Sequence, residues 1–256
     1  MPTAQHPTAP NMARVQRSST VDLITAQLRN AIYEGLILPG AQLHEALIAE
    51  QLGVSRGSLR ESAQRLVQDG LLVARQGQGL RVATVRIEDL ENLYATRLVI
   101  EGAALRELAS LRTPTERRRR LARACTLAER LAGLGRQANA AETPRTIGNT
   151  DLELHFEVVR AAGNVRLSRY MSSLVMETRL ASLGHPEGYI VRTDVHAVHR
   201  ERLDLVIAGE GEAAVAHLEA HFADTVGRLT GHAPGPVATA VVDINEGDQQ
   251  WGSIGS

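Results

Sequence analysis

Four residues in the second half of the chain have the types and the spacing to bind one metal ion. Asp151 and His155 are four apart, so on a helix they stack on one face, a common arrangement for two ligands of a single ion. His199 lies eleven residues before Glu210 and His221 eleven after it, with the turn Gly209-Glu210-Gly211 between them. At about 1.5 Å rise per residue both imidazoles then stand at similar height in an antiparallel hairpin of helices. Three imidazoles and a carboxylate suit a divalent transition metal (Zn, Ni, Mn or Fe), with one or two coordination positions left open. Each residue also has a plainer reading. Asp151 can complement the helix dipole in a first turn, and each histidine can be a core residue hydrogen-bonded to a carboxylate. His196 shares a face with His199, and His217 is one turn from His221; either could substitute or stand behind a ligand. His44, His185 and His232 carry no such spacing.

A second chemistry belongs to the first third of the chain. In Gly53-Val54-Ser55-Arg56-Gly57-Ser58-Leu59-Arg60-Glu61, Arg56 and Arg60 share one helical face. From there each could form a bidentate pair with guanine or clamp a phosphate. Ser55, Gly57 and Ser58 are small enough to bring a helix N-terminus and its free N–H groups close to a phosphate. Leu59, Leu66 and Val67 face the core. The plainer reading is a three-helix bundle with solvated arginines.

The elements that must position these residues follow from apolar periodicity. Val21, Ile24, Leu28, Ala31 and Ile32 mark a helix ending near Glu34-Gly35. Pro39-Gly40 turns the chain, a second helix runs over about Leu43 to Leu52, and Gly53 breaks it. A third helix is capped by Ser55 and continues to Asp69-Gly70. Two β-type runs, Leu71 to Ala74 and Leu80 to Val85, flank Gln76 to Gly79 and predict a hairpin, or wing. From Ile87 onward the pattern is helical only. Helices are expected over Ile87 to Ser110, from the capping box Thr113-Pro114-Thr115-Glu116 to about Ala132, and over Asp151 to Ala162. Further helices are expected over Val165 to Leu183, Thr193 to Ala208 and Glu212 to Thr230. Gly133 to Asn149 reads as a polar loop that could hide a short helix. Arg117 to Arg120 reads as a charge run on a solvated helix end.

Arg97 and Glu101 interrupt an otherwise apolar stripe and so point inward. They can form an intrahelical ion pair, or Arg97 can serve as a fork for a ligand carboxylate. Asn164 can cap the helix from Val165 or hydrogen-bond a ligand.

Composition narrows the function classes. Among 256 residues there is no lysine, which excludes a Schiff-base pyridoxal enzyme and a P-loop nucleotidase. The net charge of −1 hides an asymmetry: residues 12 to 86 hold nine Arg against six acidic residues, leaving the rest of the chain at −4. Positive charge at that end suits a polyanion. No apolar run reaches membrane-spanning length. The proline-bearing N-terminus reads as a disordered leader and not a signal peptide, and the tail from Gly231, with Trp251, reads as disordered. The single cysteine, Cys125, falls at a small core position, consistent with a reducing compartment, the cytoplasm.

The set Gly35, Pro39-Gly40, Glu45, Leu52-Gly53-Val54-Ser55-Arg56, Leu59-Arg60-Glu61, Leu66, Gly70-Leu71, Gly79 and Val82 resembles the GntR family of bacterial regulators over about residues 20 to 86. The resemblance implies DNA contacts from Ser55, Arg56, Ser58 and Arg60, and from the backbone at wing-tip Gly79. A threonine-proline pair common in the family is replaced by Gly57-Ser58, and an arginine often found in the second helix is Ala46. Over about residues 87 to 230 the chain is similar to the FadR-like (FCD) branch. The matching residues are Arg97 and Glu101, then Asp151, His155 and Gly163-Asn164, then His199, Gly209-Glu210, Ala214 and His221.

The expected fold is mainly α. It comprises a leader (1–18), a winged helix-turn-helix (19–86), an all-helical antiparallel bundle for ligand, metal and dimerisation (87–230), and a tail (231–256). The expected function is a homodimeric transcriptional regulator, a repressor, on a double-stranded operator with an inverted repeat. Its effector is a small carboxylate bound at the metal Asp151, His155, His199 and His221 would hold, with Arg97 and Asn164 as ligand contacts. One alternative is a metal sensor whose effector is the ion. Another is a helical metalloenzyme, but its only candidate general bases, Glu153 and Glu157, lie on other helical faces than His155. An enzyme is therefore not expected.

Overall fold

The computed structural model describes residues 19–75, 77, 79–136, 143–184 and 195–231. The expected leader and the tail beyond Gly231 lie outside the described residues, as do Gln76, Gln78, His185, His232 and Trp251.

Helix α1 (Thr20–Tyr33) begins at a capping box in which the Ser19 hydroxyl and the Asp22 carboxylate each accept the other residue's backbone N–H. That satisfies two donors of the first turn. Its buried stripe is Ile24, Leu28 and Ile32. Helix α2 (Glu45–Leu52) ends at Gly53, and α3 (Arg56–Gln68) buries Leu59, Ala63 and Leu66 against α1 and α2. Strands β1 (Leu72–Arg75) and β2 (Gly79–Val82) pair antiparallel, from Leu72 opposite Val82 to Arg75 opposite Gly79. The chain before α2 adds to the other edge of β2, with Leu43 N–H donating to the Leu80 carbonyl at 2.8 Å and Val82 N–H to Ala41 at 2.9 Å. This is a winged helix-turn-helix.

A 3₁₀ turn (Ile87–Asp89) leads into α4 (Leu90–Ala109). The bundle continues with α5 (Pro114–Arg120), α6 (Ala122–Arg136), α7 (Thr143–Ala162), α8 (Val165–Gly184), α9 (Val195–Ala208) and α10 (Gly211–Thr230). Helix α4 runs against α7, α8, α9 and α10, and about half of its residues are buried, Arg97 and Glu101 included.

Three expectations are corrected. The helix expected from Thr113 to Ala132 is broken at Leu121, which is fully buried. The break aims the preceding turn across the bundle: Arg117 donates to the Ile207 carbonyl and Arg120 to the Ala162 carbonyl, both at 3.0 Å. Two residues of the apparent solvated charge run thus satisfy last-turn carbonyls of α9 and α7. Both of those helices end in a glycine of positive φ, Gly209 at +95° and Gly163 at +85°. A Cβ there would come within 2.9 Å and 2.7 Å of the respective guanidinium groups. The loop expected over Gly133 to Asn149 is mostly helix, because α6 runs on to Arg136 and α7 begins at Thr143. The buried face at its start is Ile147, Thr150, Asp151 and Leu154, a helical spacing hidden from hydropathy by two polar members. As a result Asp151 lies two turns inside α7, which removes the first-turn dipole reading.

The units are packed together through α8. Met176 and Leu180 join the core formed by α1, α3 and the wing. Arg179 Nε donates to the Tyr33 carbonyl at 2.8 Å. At the start of α7, Asn149 Nδ2 donates to Glu34 at 2.8 Å and its carbonyl accepts from the Tyr33 hydroxyl at 3.3 Å.

Candidate functional site

In the winged helix-turn-helix, Ser55 caps α3. Its Oγ accepts from Ser58 N–H at 3.0 Å and lies 2.9 Å from Ser58 Oγ. The N–H groups of Arg56 and Gly57 stand at the open first turn, where an anion is favoured. Arg56 and Arg60 are both exposed. Arg60 Nε rests 3.2 Å from Glu45 on α2, with 69% of its side chain exposed, a contact easily exchanged for a phosphate or a base edge. Gly79 is exposed at the start of β2. Opposite it in the ladder stands Arg75, exposed and basic, which sequence reasoning passed over although its place at the wing tip was visible. The other wing arginine, Arg81, turns inward and donates to the Gly40 carbonyl at 3.0 Å.

In the bundle, α7 presents Asp151 and His155 on one face, and the α9–α10 hairpin brings His199 and His221 to meet them. One ligand-type atom from each of the four lies within 4.8 Å of the others. All are buried, from 1% exposure for His199 to 9% for His221. His199 Nε2 is 2.5 Å from Asp151 Oδ1, and His155 Nδ1 makes a short bond to Glu101. Burial pushes His155 and His221 well below the ordinary imidazole value; Arg97 adds to this for His155 and Arg202 for His221. That direction favours the neutral ring, the form a metal ligand needs. Burial alone would raise Asp151, but His199 and its hydrogen bond, with Arg97 behind, outweigh it and hold the carboxyl below its usual range.

The residues fit a divalent transition metal. Nδ1 of His221 is buried without a hydrogen-bond partner among the described residues, a costly arrangement unless something else satisfies the ring. His155 is backed by a carboxylate, the arrangement that orients metal-binding imidazoles. His196 and His217 do not belong to the cluster of four, and His217 pairs with Glu201 at 3.3 Å. Glu153 and Glu157 turn away to Arg123, at 2.7 and 3.1 Å.

Above the cluster is a cavity of about 50 Å³, lined by Tyr94, Arg97, Asp151, His155, Thr178 and His221 among others. Arg97 is 2% exposed. Its Nε donates to Glu101 at 2.9 Å and its Nη1 to Thr178 at 3.4 Å, while Nη2 has no partner among the described residues. Its guanidinium lies 4.6 Å from the Phe222 ring centre. Arg97 is thus ion-paired with Glu101, with one N–H group that has no partner among the described residues. Asn164 is corrected. It is exposed, and its Oδ1 accepts from the N–H groups of Arg166 and Leu167 at 3.0 and 3.2 Å, so it caps α8 and does not line the cavity.

Sequence reasoning missed Glu101 as the carboxylate behind His155, and it missed Arg202. This arginine is 4% exposed and places Nη2 3.1 Å from His199 Nδ1; burial brings its pKa down to about 10. The signal was available: Arg202 follows His199 by three residues on one helical face.

Comparison with known proteins gives the family. The profile for bacterial regulatory proteins of the gntR family matches residues 20–82, and that of the FCD domain matches residues 92–224. The chain belongs to the GntR family. More specifically, it is a GntR-type transcriptional regulator with an FCD domain, and proteins of this family are DNA-binding regulators and not enzymes. It is 30% identical over 229 residues to the probable D-xylose utilization operon transcriptional repressor of Paenarthrobacter nicotinovorans, covering 89% of this chain and 96% of that one. It is 36% identical over 89 residues to an HTH-type transcriptional regulator in the TAR-I ttuE-ttuC' intergenic region of Agrobacterium vitis. That alignment covers 35% of this chain and about half, 52%, of the relative. Among solved structures, a GntR transcriptional regulator from Rhodococcus sp. RHA1 superposes with a TM-score of 0.71 at 26% identity, over 83% of this chain and 98% of that one. Among the described residues, no helix is long and apolar enough to cross a membrane.

Proposed function

We propose that this GntR-family protein is a homodimeric cytoplasmic repressor whose hold on an inverted-repeat operator is governed by a small carboxylate bound in the helical unit. Residues 19–86 act as the reading unit, with Ser55, Arg56, Ser58, Arg60 and the Gly79 backbone, now joined by Arg75, at the DNA. Residues 87–230 act as the effector unit. The observation that carries the reading is the meeting of four metal-type donors with a buried guanidinium that has an N–H to spare. Asp151, His155, His199 and His221 would hold a divalent ion such as Zn, Ni, Mn or Fe, which supplies a Lewis-acidic anchor for a carboxylate. Arg97 supplies the second hold, through Nη2 on the carboxylate edge. The cavity bounds the guest: at roughly 10–15 Å³ per water it takes about four waters, the size of a two- or three-carbon acid.

The link to DNA is supported by proximity along the chain. Thr178 touches Arg97 while its neighbour Arg179 holds the end of α1. Asp151 is two residues from Asn149, which also holds the end of α1. A guest that prefers one packing of α7 and α8 thereby biases the placement of the reading units.

The test is a thermal-shift and gel-shift series on protein reconstituted with Zn, Ni or Mn. Acetate, glycolate and lactate are the acid probes, and D-xylose is the neutral one. Metal-dependent stabilisation by an acid, with a change in operator affinity, is the expected result. Less than about one ion per ten chains after reconstitution would sink the site. Operator release by the ion alone would make the metal the effector, and a response to D-xylose alone would overturn the carboxylate.

A further inference from the structure

Helices α1 and α2 of the reading unit border an apolar groove of about 580 Å³ that none of Ser55, Arg56, Ser58 and Arg60 lines. Leu28, Leu43, Ile48 and Leu52 belong to it, together with Leu36 and Leu47, which are 72% and 64% exposed. Single exposed leucines are ordinary on a protein surface. Two of them gathered with buried apolar neighbours around one concavity mark a surface that a partner covers. The chain itself carries a candidate occupant. Residues 232–256 hold three acidic residues, Asp243, Glu246 and Asp248, and no arginine; they also hold Trp251, the one tryptophan of the chain, with Ile254 three residues on. A tryptophan buries more apolar surface than any other side chain, so one such residue can anchor a segment that lacks a core of its own.

The place where α10 ends brings this segment within reach. Leu229 of α10 and Ser182 of α8 line the same small cavity, so the ends of the two helices stand close together. One residue further along α8, Leu183 Cδ2 lies 3.0 Å from the position that a Cβ on Gly35 would take, and Arg145 Nη2 lies 3.9 Å from it. Gly35 immediately precedes Leu36 of the groove. The exposed Arg145 therefore stands between the bundle and the groove, and the acidic residues come before Trp251 in the same order. A tether as long as Gly231 to Trp251, twenty residues (251 − 231), has a root-mean-square span of roughly 25 Å. Such a tether holds its end at an effective concentration on the order of millimolar, enough to fill a weak apolar site. We propose that the C-terminal tail docks on the reading unit of its own chain, with Trp251 and Ile254 in the groove between α1 and α2 and Asp243, Glu246 and Asp248 beside Arg145. The docked tail straps the reading unit to the bundle and leaves the residues set for DNA uncovered. The metal and the carboxylate play no part in it.

The test uses the full-length protein, whose tryptophan fluorescence reports the tail alone. The emission of Trp251 and its quenching by acrylamide are compared with those of a free peptide of residues 232–256, over a range of protein concentrations. The expected result is an emission to the blue of the peptide's, with less quenching, that does not change on dilution. Leu36→Asp and Leu47→Asp, both at exposed positions where substitution is well tolerated, should return the emission to that of the peptide. Arg145→Glu should move it part of the way. Val165→Asp, at an 82% exposed apolar position on α8, should leave it where it is. An emission equal to the peptide's in the wild type overturns the proposal. A blue-shifted emission that neither leucine variant alters overturns it too, because Trp251 is then buried elsewhere, and one lost on dilution makes the occupant a second copy of the chain. If neither leucine variant folds, a photocrosslinking amino acid in place of Trp251 decides: crosslinks to residues 27–52 support the docking, and crosslinks confined to other parts of the chain overturn it.

Discussion

The reading unit and the donor cluster inside the helical unit carry their charges in opposite ways. In the reading unit, Arg29, Arg60, Arg65 and Arg86 each hold an acidic partner while at least 36% of the arginine side chain remains exposed. In the helical unit, Arg97 and Glu101 are each 2% exposed and Arg202 is 4% exposed, packed around an aspartate and three histidines. Exposed pairs are screened by water and salt, contribute little to stability and exchange partners cheaply when a polyanion arrives. Buried charges cannot leave their partners without a cost comparable to a large part of the folding free energy. The first kind of charge is free to exchange partners, and the second holds a geometry.

The comparison can be broken most forcefully at Glu101. Glu101→Leu leaves the Arg97 guanidinium buried without its carboxylate and removes the acceptor of His155, so unfolding should become easier by about 3 to 5 kcal/mol, read by urea titration. The double variant Arg97→Met/Glu101→Leu should recover most of that loss, because a well-packed apolar pair is close to neutral there. A loss under about 1 kcal/mol in the single variant would mean that this charge behaves as a surface charge.

The reading unit should respond in binding and not in folding. Arg60→Ala should weaken operator affinity by about 1 to 3 kcal/mol in gel shifts at fixed salt, with an unchanged melting temperature. Equal affinity would remove Arg60 from the interface. Arg75→Ala should cost less and show a different signature: a uniform loss across sequences, with the slope of log affinity against log salt reduced by about one. An unaltered slope would place Arg75 away from phosphate. At the bottom of the scale stands Arg106, whose bidentate contact with Glu212 joins α4 to α10 on the surface. Arg106→Ala should leave the melting curve unchanged within error, and a clear drop would blur the contrast between exposed and buried charge.

Much of this was legible in the amino-acid sequence, and the reason is periodicity. Apolar spacing, capping residues and turn glycines are local signals, so α1 to α3, β1 and most helices of the bundle could be read within a residue or two, while β2 ends at Val82, short of the expected Val85. The meeting of His199 and His221 could be read as well, because a short turn between two regular helices makes height a matter of counting. Local signals failed where a polar residue belongs to the core. Thr150 and Asp151 hid the start of α7, and Arg117 and Arg120 looked solvated because the carbonyls they satisfy are some 40 to 90 residues away.

The sequence by itself therefore determined the fold class, the helix-turn-helix and the set of donors available to a metal, since each depends on spacing within one helix or one hairpin. Only the tertiary structure decided the partners. It set Glu101 behind His155 and pressed α8 between the cavity and the reading unit. A hydrogen bond is specific over about 3 Å, and no pattern along the chain fixes which distant residues come that close.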